Sequence, residues 1–335
     1  MWRIDRENYK KVLKGSSVLS TGGGGSFHAA MDEADEFFDG TSVSVSALEE
    51  LSSDARVVMA YGLGSTAEDE DVDEQTALQN ALNLYKQVQE QEVDAVLPAE
   101  MGPLALFDAF LVAERLDVPI VDTDAVGGRC VPTFTLFGTR FDGNSEAPVA
   151  VADTGETRIV LHAVESMEDL EAILRDIAVN LGTIIFGMGH ARSVGDLSGY
   201  VKEGTLSTAR EIGERIAERG WQSIEGVSGI DLVDTGTVEN VEIEKTSGMY
   251  HATVTVEGNA ENYEVSIKNE YMRLQDGEEI IAEAPDSILI VDTKGGYGPY
   301  SSDLGEDDDV AIFVRGAQGF WATNQGQKLF NQDAI

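Results

Sequence analysis

The chain has 335 residues, 61 of them acidic against 23 basic, for a net charge of −38, and 42% of its residues are hydrophobic. Its length suggests two domains at about 100–200 residues each, and the acids are interspersed with apolar runs, which excludes acidic disorder. With no basic stripe to meet phosphates, nucleic acid is excluded as a partner. Only nine of the basic residues are Lys, against fourteen Arg. Many carboxylates with few lysines keep a folded chain soluble in concentrated salt, where their repulsion is screened. This is the pattern of a halophilic protein, and it describes the surroundings rather than the activity. A single cysteine, Cys130, allows no internal disulfide and fits a reducing compartment. Residues 1–14 are charged and lack a secretory apolar core, and no apolar run reaches membrane-spanning length. A cytoplasmic location with no membrane partner is expected.

In chain order, residues 3–14 read as a short helix. Val18-Leu19-Ser20 reads as a strand running into Thr21-Gly22-Gly23-Gly24-Gly25, with helical spacing following through Phe37. ARVVMAY, residues 55–61, is a buried strand by its apolar run and flanks. It leads to Gly62-Leu63-Gly64-Ser65-Thr66, an acidic loop at 68–74 and a helix over about 75–91. A strand at 95–98 ends at Glu100-Met101-Gly102, a helix spans 103–115, and a strand at 119–121 ends at Asp122-Thr123-Asp124. Such alternation implies crossover units and a mainly parallel sheet. Residues 132–163 read as short strands, with turns at Asp142-Gly143 and Asp153-Thr154-Gly155. Helices at 167–181 and 205–219 flank a strand at 183–188. From about 225 the chain is strand-rich, over 238–244, 250–257, 263–267, 280–282, 287–292 and 309–315. Acid and threonine there alternate with apolar residues, as in an antiparallel sheet with one wet face. The expected fold class is α/β. It comprises an N-terminal mainly parallel α/β domain over 1–165, carrying the glycine loop, and a second domain over 166–335, mainly antiparallel β after a helical connection.

Four segments could carry chemistry. The glycines at 22–25 expose backbone N–H groups that could cradle an anion or a carbonyl oxygen; the alternative is a tight turn requiring positive φ. GxGxxG spacing is not met and no Lys-Ser or Lys-Thr follows, so no nucleotide cofactor is expected. Ser65 and Thr66 offer hydroxyls, or belong to an ordinary strand-to-helix loop. Glu100, Asp122 and Asp124 fall at carboxyl ends of strands, where open α/β folds place ligands. There they could share a proton, bind a metal or orient a substrate N–H, or else serve as helix caps. No HExxH or close metal pair exists among the four histidines. His28 and His190 could reach the site, whereas His162 and His251 sit in strand-like stretches. Cys130 could act as a nucleophile beside a base, although a lone cysteine is by default a small core residue. Asn269-Glu270 could hold a ligand amide or close a turn.

The order of these pieces resembles the S-methyl thiohydantoin desulfurase family, formerly known only as a domain of unknown function. Thr21–Gly25 resembles its TGGGG loop. VPIVDTDAVGGRCVP, 118–132, resembles its L-P-V-V-D-x-D-G-x-G-R-x-x-P segment, and GTLSTAREIG, 204–213, its GT-hydroxyl-helix element. KNEY, 268–271, and APDSILIVD, 284–292, resemble its N-E and P-D-L-I segments, and Trp321 its late tryptophan. The chain would be a haloarchaeal-like member. It departs from the family at Ser26-Phe27-His28, where Asp-Pro and an aromatic are usual. It departs again at Ala125-Val126-Gly127-Gly128 and at Met101-Gly102-Pro103.

The resemblance implies a site near the junction of an α/β and a mainly β domain, and a cyclic amide or thiohydantoin-like substrate. On this reading the chain is a hydrolase-type enzyme. Asp122 or Asp124 activates water or orients the ring N–H, with Glu100 beside them. Backbone amides of Gly22, Gly23, Gly24 and Gly25 stabilise developing negative charge, and Asn269 and Glu270 reach in from the second domain. Thr21, His28, Ser65, Thr66, Met101, Gly102, Arg129, His190 and Ser207 complete the expected substrate contacts. A divalent metal held by the acids with His28 or His190 is left open. The competing reading is a non-catalytic small-molecule-binding or accessory subunit beside a hydantoinase-like partner, alone or as a homo-oligomer. A nucleotide-dependent enzyme, resting only on the glycine loop, ranks third.

Overall fold

A computed structural model describes residues 1–64, 73–89, 91–137, 147–153, 155–244 and 249–334. The first part of the chain runs β1 (Trp2–Ile4), α1 (Tyr9–Leu19), α2 (Phe27–Phe37), β2 (Val43–Ser46), β3 (Arg56–Leu63), α3 (Glu74–Val88), β4 (Ala95–Val96), α4 (Pro103–Leu116) and β5 (Ile120–Val121). Then come β6 (Val149–Ala152), β7 (Arg158–Leu161), α5 (Met167–Leu181) and β8 (Ile185–Ser193). These strands form one eight-stranded sheet in the order β1-β2-β5-β4-β3-β8-β6-β7. The expected α/β organisation is present, with a mixed sheet. β2, β5, β4 and β3 are parallel, and antiparallel strands extend the sheet on both sides. The parallel strands place Glu100 and Asp122 just beyond their carboxyl ends, the position open α/β sheets use for ligands.

The expected strand at 18–20 is instead the end of α1. Tyr9, Val12, Leu13 and Ser16 follow helical spacing and are buried together, so Val18 and Leu19 continue a helix. Gly15 lets that helix lie directly on the backbone of a later one. A Cβ there would stand 1.7 Å from the Ala209 carbonyl oxygen. Ala209 belongs to α7 (Thr205–Arg219), which follows the single turn α6 (Val194–Leu197). TSVSVS at 41–46 alternates, with Val43 and Val45 buried as the inner face of β2, a strand too short to stand out against its loop.

The remaining strands are β9 (Ile230–Glu244), β10 (His251–Gly258), β11 (Asn262–Lys268), β12 (Glu270–Asp276), β13 (Glu279–Glu283), β14 (Ser287–Asp292) and β15 (Asp309–Arg315), with α8 (Asn324–Ala334) at the end. They form a second sheet, β13-β12-β11-β10-β9-β15-β14, antiparallel throughout as its alternation predicts. In β10 the valines 254 and 256 are buried while Thr253 and Thr255 are partly exposed. The sheet curls until β14 lies beside β12. Tyr271 donates its N–H to the Thr21 carbonyl, and Ser301 donates to that of Gly22, each at 2.8 Å. The glycine loop is thereby tied to the second sheet. Among the described residues no helix is long and apolar enough to cross a membrane.

Candidate active site

The glycine loop starts where α1 stops. Thr21 and Gly22 adopt positive φ (54° and 82°), and the loop threads between two parts of the chain. Gly23 is pressed against Glu270 and Cys130, and Gly24 against the backbone of Gly102. A Cβ on Gly24 would lie 2.4 Å from the Gly102 Cα, so no side chain fits at either position. The Gly24 carbonyl accepts from the Leu104 N–H at 2.9 Å, which caps the first turn of α4. The expected cradle of four amides is smaller here. Gly22 donates to Ser20 Oγ and Gly23 to the Ser20 carbonyl. Gly24 and Gly25 are the two whose N–H groups find no partner among the described residues.

Gly23, Gly24 and Gly25 line a cavity of about 390 Å³. Its walls are largely apolar, from Leu63, Leu104, Phe134, Phe137, Ile184 and Phe186. Glu100 and Glu270 line it together. Glu270 is aimed by the reversal at Asn269, whose φ of 58° starts β12. Asn269 clamps Tyr250 twice, donating its N–H to the Tyr250 carbonyl at 2.7 Å and accepting the Tyr250 N–H on Oδ1 at 2.8 Å. Glu270 is 4% exposed, and among the described residues its Oε2 has no hydrogen-bond partner. Burial pushes its carboxyl well above the usual range and the nearby Glu100 pushes further, against the pull of Arg129.

Glu100 is raised to about 7, first by burial. Two bonds hold it back from rising further: the Val131 N–H at 3.2 Å and the Cys130 thiol. Cys130 is buried, and its thiol is pushed well up by burial and by the charges of Glu100 and Glu270. Tyr300 also lines the cavity, its hydroxyl held protonated by burial and by Glu270. The centre therefore offers one carboxyl poised near neutrality, one pushed well above its usual range and two amides, with the buried Cys130 thiol bonded to Glu100. That set can take a proton from one atom and deliver one to another. Among the described residues no group of three or more His, Cys, Asp or Glu side chains is arranged to hold a metal.

Several expected contacts lie elsewhere. Asp124 is buried beneath the site and accepts N–H bonds from Val126, Gly127 and Gly128 at 2.8–3.0 Å. It shapes the turn leading to Arg129–Val131 and does not line the cavity. Burial raises its carboxyl to about 6 against those bonds. Asp122 accepts from the N–H and hydroxyl of Ser207 and fastens the start of α7. Two acids at one strand end thus serve as loop and helix fasteners, the role weighed against a site role above. Arg129 lies buried beside the site, donating to the carbonyls of Cys130, Pro285 and Asp286 and stacking on Phe330 at 5.1 Å. Met101 is buried and Gly102 supports Gly24. Thr21 donates its hydroxyl to the Ser20 carbonyl at 2.6 Å. His28 is exposed on α2 against the ring of Tyr297. His190 is buried behind the wall rings of Tyr61, Phe134 and Phe137. Ser65 and Thr66 lie outside the described residues.

Nothing in the local sequence marks Tyr300 or Arg175 as lining residues. Asp108 does carry a signal, as the one acid inside PLALFDAFLVA, an otherwise apolar helix. Asp124→Ala is expected to strip three buried N–H groups of their acceptor, at about 1–3 kcal/mol each. Asp122→Ala removes one cap, at about 1 kcal/mol. Denaturant titration of the two variants in molar KCl measures the difference. Equal stabilities would contradict the assignment of Asp124 to the loop.

The S-Me-THD-like N-terminal domain matches residues 7–163, and the S-Me-THD-like C-terminal domain matches residues 165–334. No curated protein matches. An X-ray structure of a protein from Chromobacterium violaceum aligns with a TM-score of 0.73 at 21% identity, covering 99% of this chain and 98% of that one. At that identity the likeness bears on the fold.

Proposed function

The chain belongs to the S-Me-THD-like family, and from that premise we propose that it hydrolyses the carbon–sulfur bond of a small ring of the S-alkyl thiohydantoin class, releasing a thiol and the cyclic amide. The observation that carries the reading is the pair Glu100 and Glu270. They are separated widely in sequence, both buried, and face one apolar cavity beside the Gly24 and Gly25 amides. A five-membered lactam presents N–H and C=O on one edge. A protonated carboxyl such as Glu270 presents the complementary O–H and C=O, so the two can bond in pairs.

For a ring carbon bearing an alkylthio group and doubly bonded to nitrogen, the steps follow from the two carboxyls. Ionised Glu100 takes a proton from the attacking water as its oxygen bonds to that carbon, and Glu270 gives its proton to the ring nitrogen. The new C–O–H then loses its proton to Glu270 and becomes a carbonyl, stabilised by the two glycine amides. The C–S bond breaks, and the sulfur leaves as a thiol with the proton Glu100 first accepted. Cyclic amide and thiol are the products, and both carboxyls return to their starting states. The assignment of Asp122 and Asp124 to this chemistry gives way to Glu100 and Glu270, because the aspartates are committed to backbone and Ser207 donors.

A thermal-shift screen in molar KCl tests the reading, using hydantoin, thiohydantoin, S-methyl thiohydantoin, oxoproline and nucleotides, followed by thiol release with a chromogenic disulfide. A cyclic amide at a hundred times its dissociation constant is expected to stabilise by about 2.7 kcal/mol. Stabilisation by a nucleotide with the cyclic amides silent would sink the reading. Binding of S-methyl thiohydantoin with no thiol released would leave the accessory-subunit role.

A further inference from the structure

The same cavity carries a second carboxyl pair that the chemistry above does not use. Asp108 is 2% exposed and lines the cavity from α4, and among the described residues its Oδ1 has no hydrogen-bond partner. Glu74, the first residue of α3, also lines the cavity, and its Oε2 is likewise buried and unpartnered among the described residues. Burial, then the charge of Glu74, pushes the Asp108 carboxyl well above its usual range. Burial, then Glu33, lifts Glu74 to about 7. Two acids with unsatisfied oxygens facing one apolar space cost free energy unless something occupies that space.

The pair is set apart from the inner one. Asp108 lies five residues past Pro103 along α4, roughly 7–8 Å at 1.5 Å per residue, whereas Glu100 precedes that helix. The cation on the lining, Arg175, donates to Glu171 at 2.6 Å and to the Pro132 carbonyl at 2.9 Å. It is held toward those groups, while Glu74 and Asp108 share the lining with the apolar Leu104, Ala105 and Ile184.

We propose that Glu74 and Asp108 form a cation-binding subsite, and that the ring substrate carries an ammonium or guanidinium group on a short alkyl substituent. This rests on the cyclic-amide reading for the ring, while the subsite itself stands on its own residues. Such a group satisfies both free oxygens with charge-assisted bonds, and the alkyl stem covers the apolar wall.

The probes are hydantoins bearing a C5 aminobutyl, butyl or carboxyethyl group, together with butylguanidinium alone. They are titrated calorimetrically into wild type, Asp108→Asn and Glu74→Gln in molar KCl. The aminobutyl compound is expected to bind at least tenfold tighter than the butyl compound to wild type, with that ratio falling toward one in each variant. If Asp108→Asn does not fold, Glu74→Gln carries the comparison. Butyl or carboxyethyl binding as tightly as aminobutyl overturns the subsite and leaves the ring reading in place. Saturable binding of butylguanidinium, weakened in the variants and with every hydantoin silent, supports the subsite and overturns the ring reading. Silence from all four probes overturns both.

Discussion

Glu100→Gln is expected to lower kcat by about 10²- to 10⁴-fold, the usual worth of a positioned general base, while the chain stays folded. In wild type, kcat/KM should rise with pH through about 7, where Glu100 ionises, and that limb should vanish in the variant. Stability provides a second readout with a definite sign. The Glu100 pKa is raised on folding from about 4.5 to about 7, so the native state holds its proton more tightly than the unfolded chain does. Its contribution is fully present below pH 4.5 and is lost as pH rises through 7. At pH 8 the native state must bury a charge that Gln does not carry. Glu100→Gln should then be more stable than wild type by about 3 kcal/mol, at 1.36 kcal/mol per pKa unit. Below pH 4.5 the two should converge. An inactive variant that is also less stable at pH 8 would mean that Glu100 holds the structure and takes no part in turnover.

The second large effect is steric. Gly102→Ala would place a Cβ 2.3 Å from the Cα of Gly24, a backbone atom in a loop already bonded to α4 and to the second sheet. Neither side can give way cheaply, and a loss of at least about 3 kcal/mol is expected in guanidinium titration. Gly316→Ala is the control. Nothing lies within 4 Å of a Cβ at Gly316, and the change should stay within about 0.5 kcal/mol. Equal losses at the two positions would remove the close approach as the reason for glycine at 102.

Elements that announce themselves through local period were legible in the sequence. ARVVMAY is β3, and the alternation after residue 225 is the antiparallel sheet. The end of α1 does not read as helix because Val18 and Leu19 are buried in a core shared with Leu206 of α7, nearly 190 residues further on. The turn weighed at Asn269-Glu270 is present, whereas its clamp on Tyr250 has no mark in the local sequence. Within the site, the glycine loop and the acids at 100 and 270 could be found from their positions after loops and from family resemblance. Their grouping follows from that resemblance alone, because it depends on Gly23 meeting both Cys130 and Glu270, which no local pattern encodes. The aspartates at 122 and 124 look catalytic for the reason that makes them good fasteners. A short carboxylate at a strand end meets whichever N–H comes first, and here those belong to the next turn and to α7.

The close packing of Gly15 on Ala209 and of Gly23 on Glu270 has a consequence for biosynthesis. At about 5–20 residues per second, Glu270 leaves the ribosome roughly 12–50 s after Gly23. For most of that interval the nascent chain carries α1 without α7, and for all of it a glycine loop without its covering strand. Cys130, sealed in the finished protein, is then open to oxidants and to thiol-reactive compounds. A pulse of alkylating reagent during synthesis should label chains stalled before residue 270, and leave completed ones unmarked.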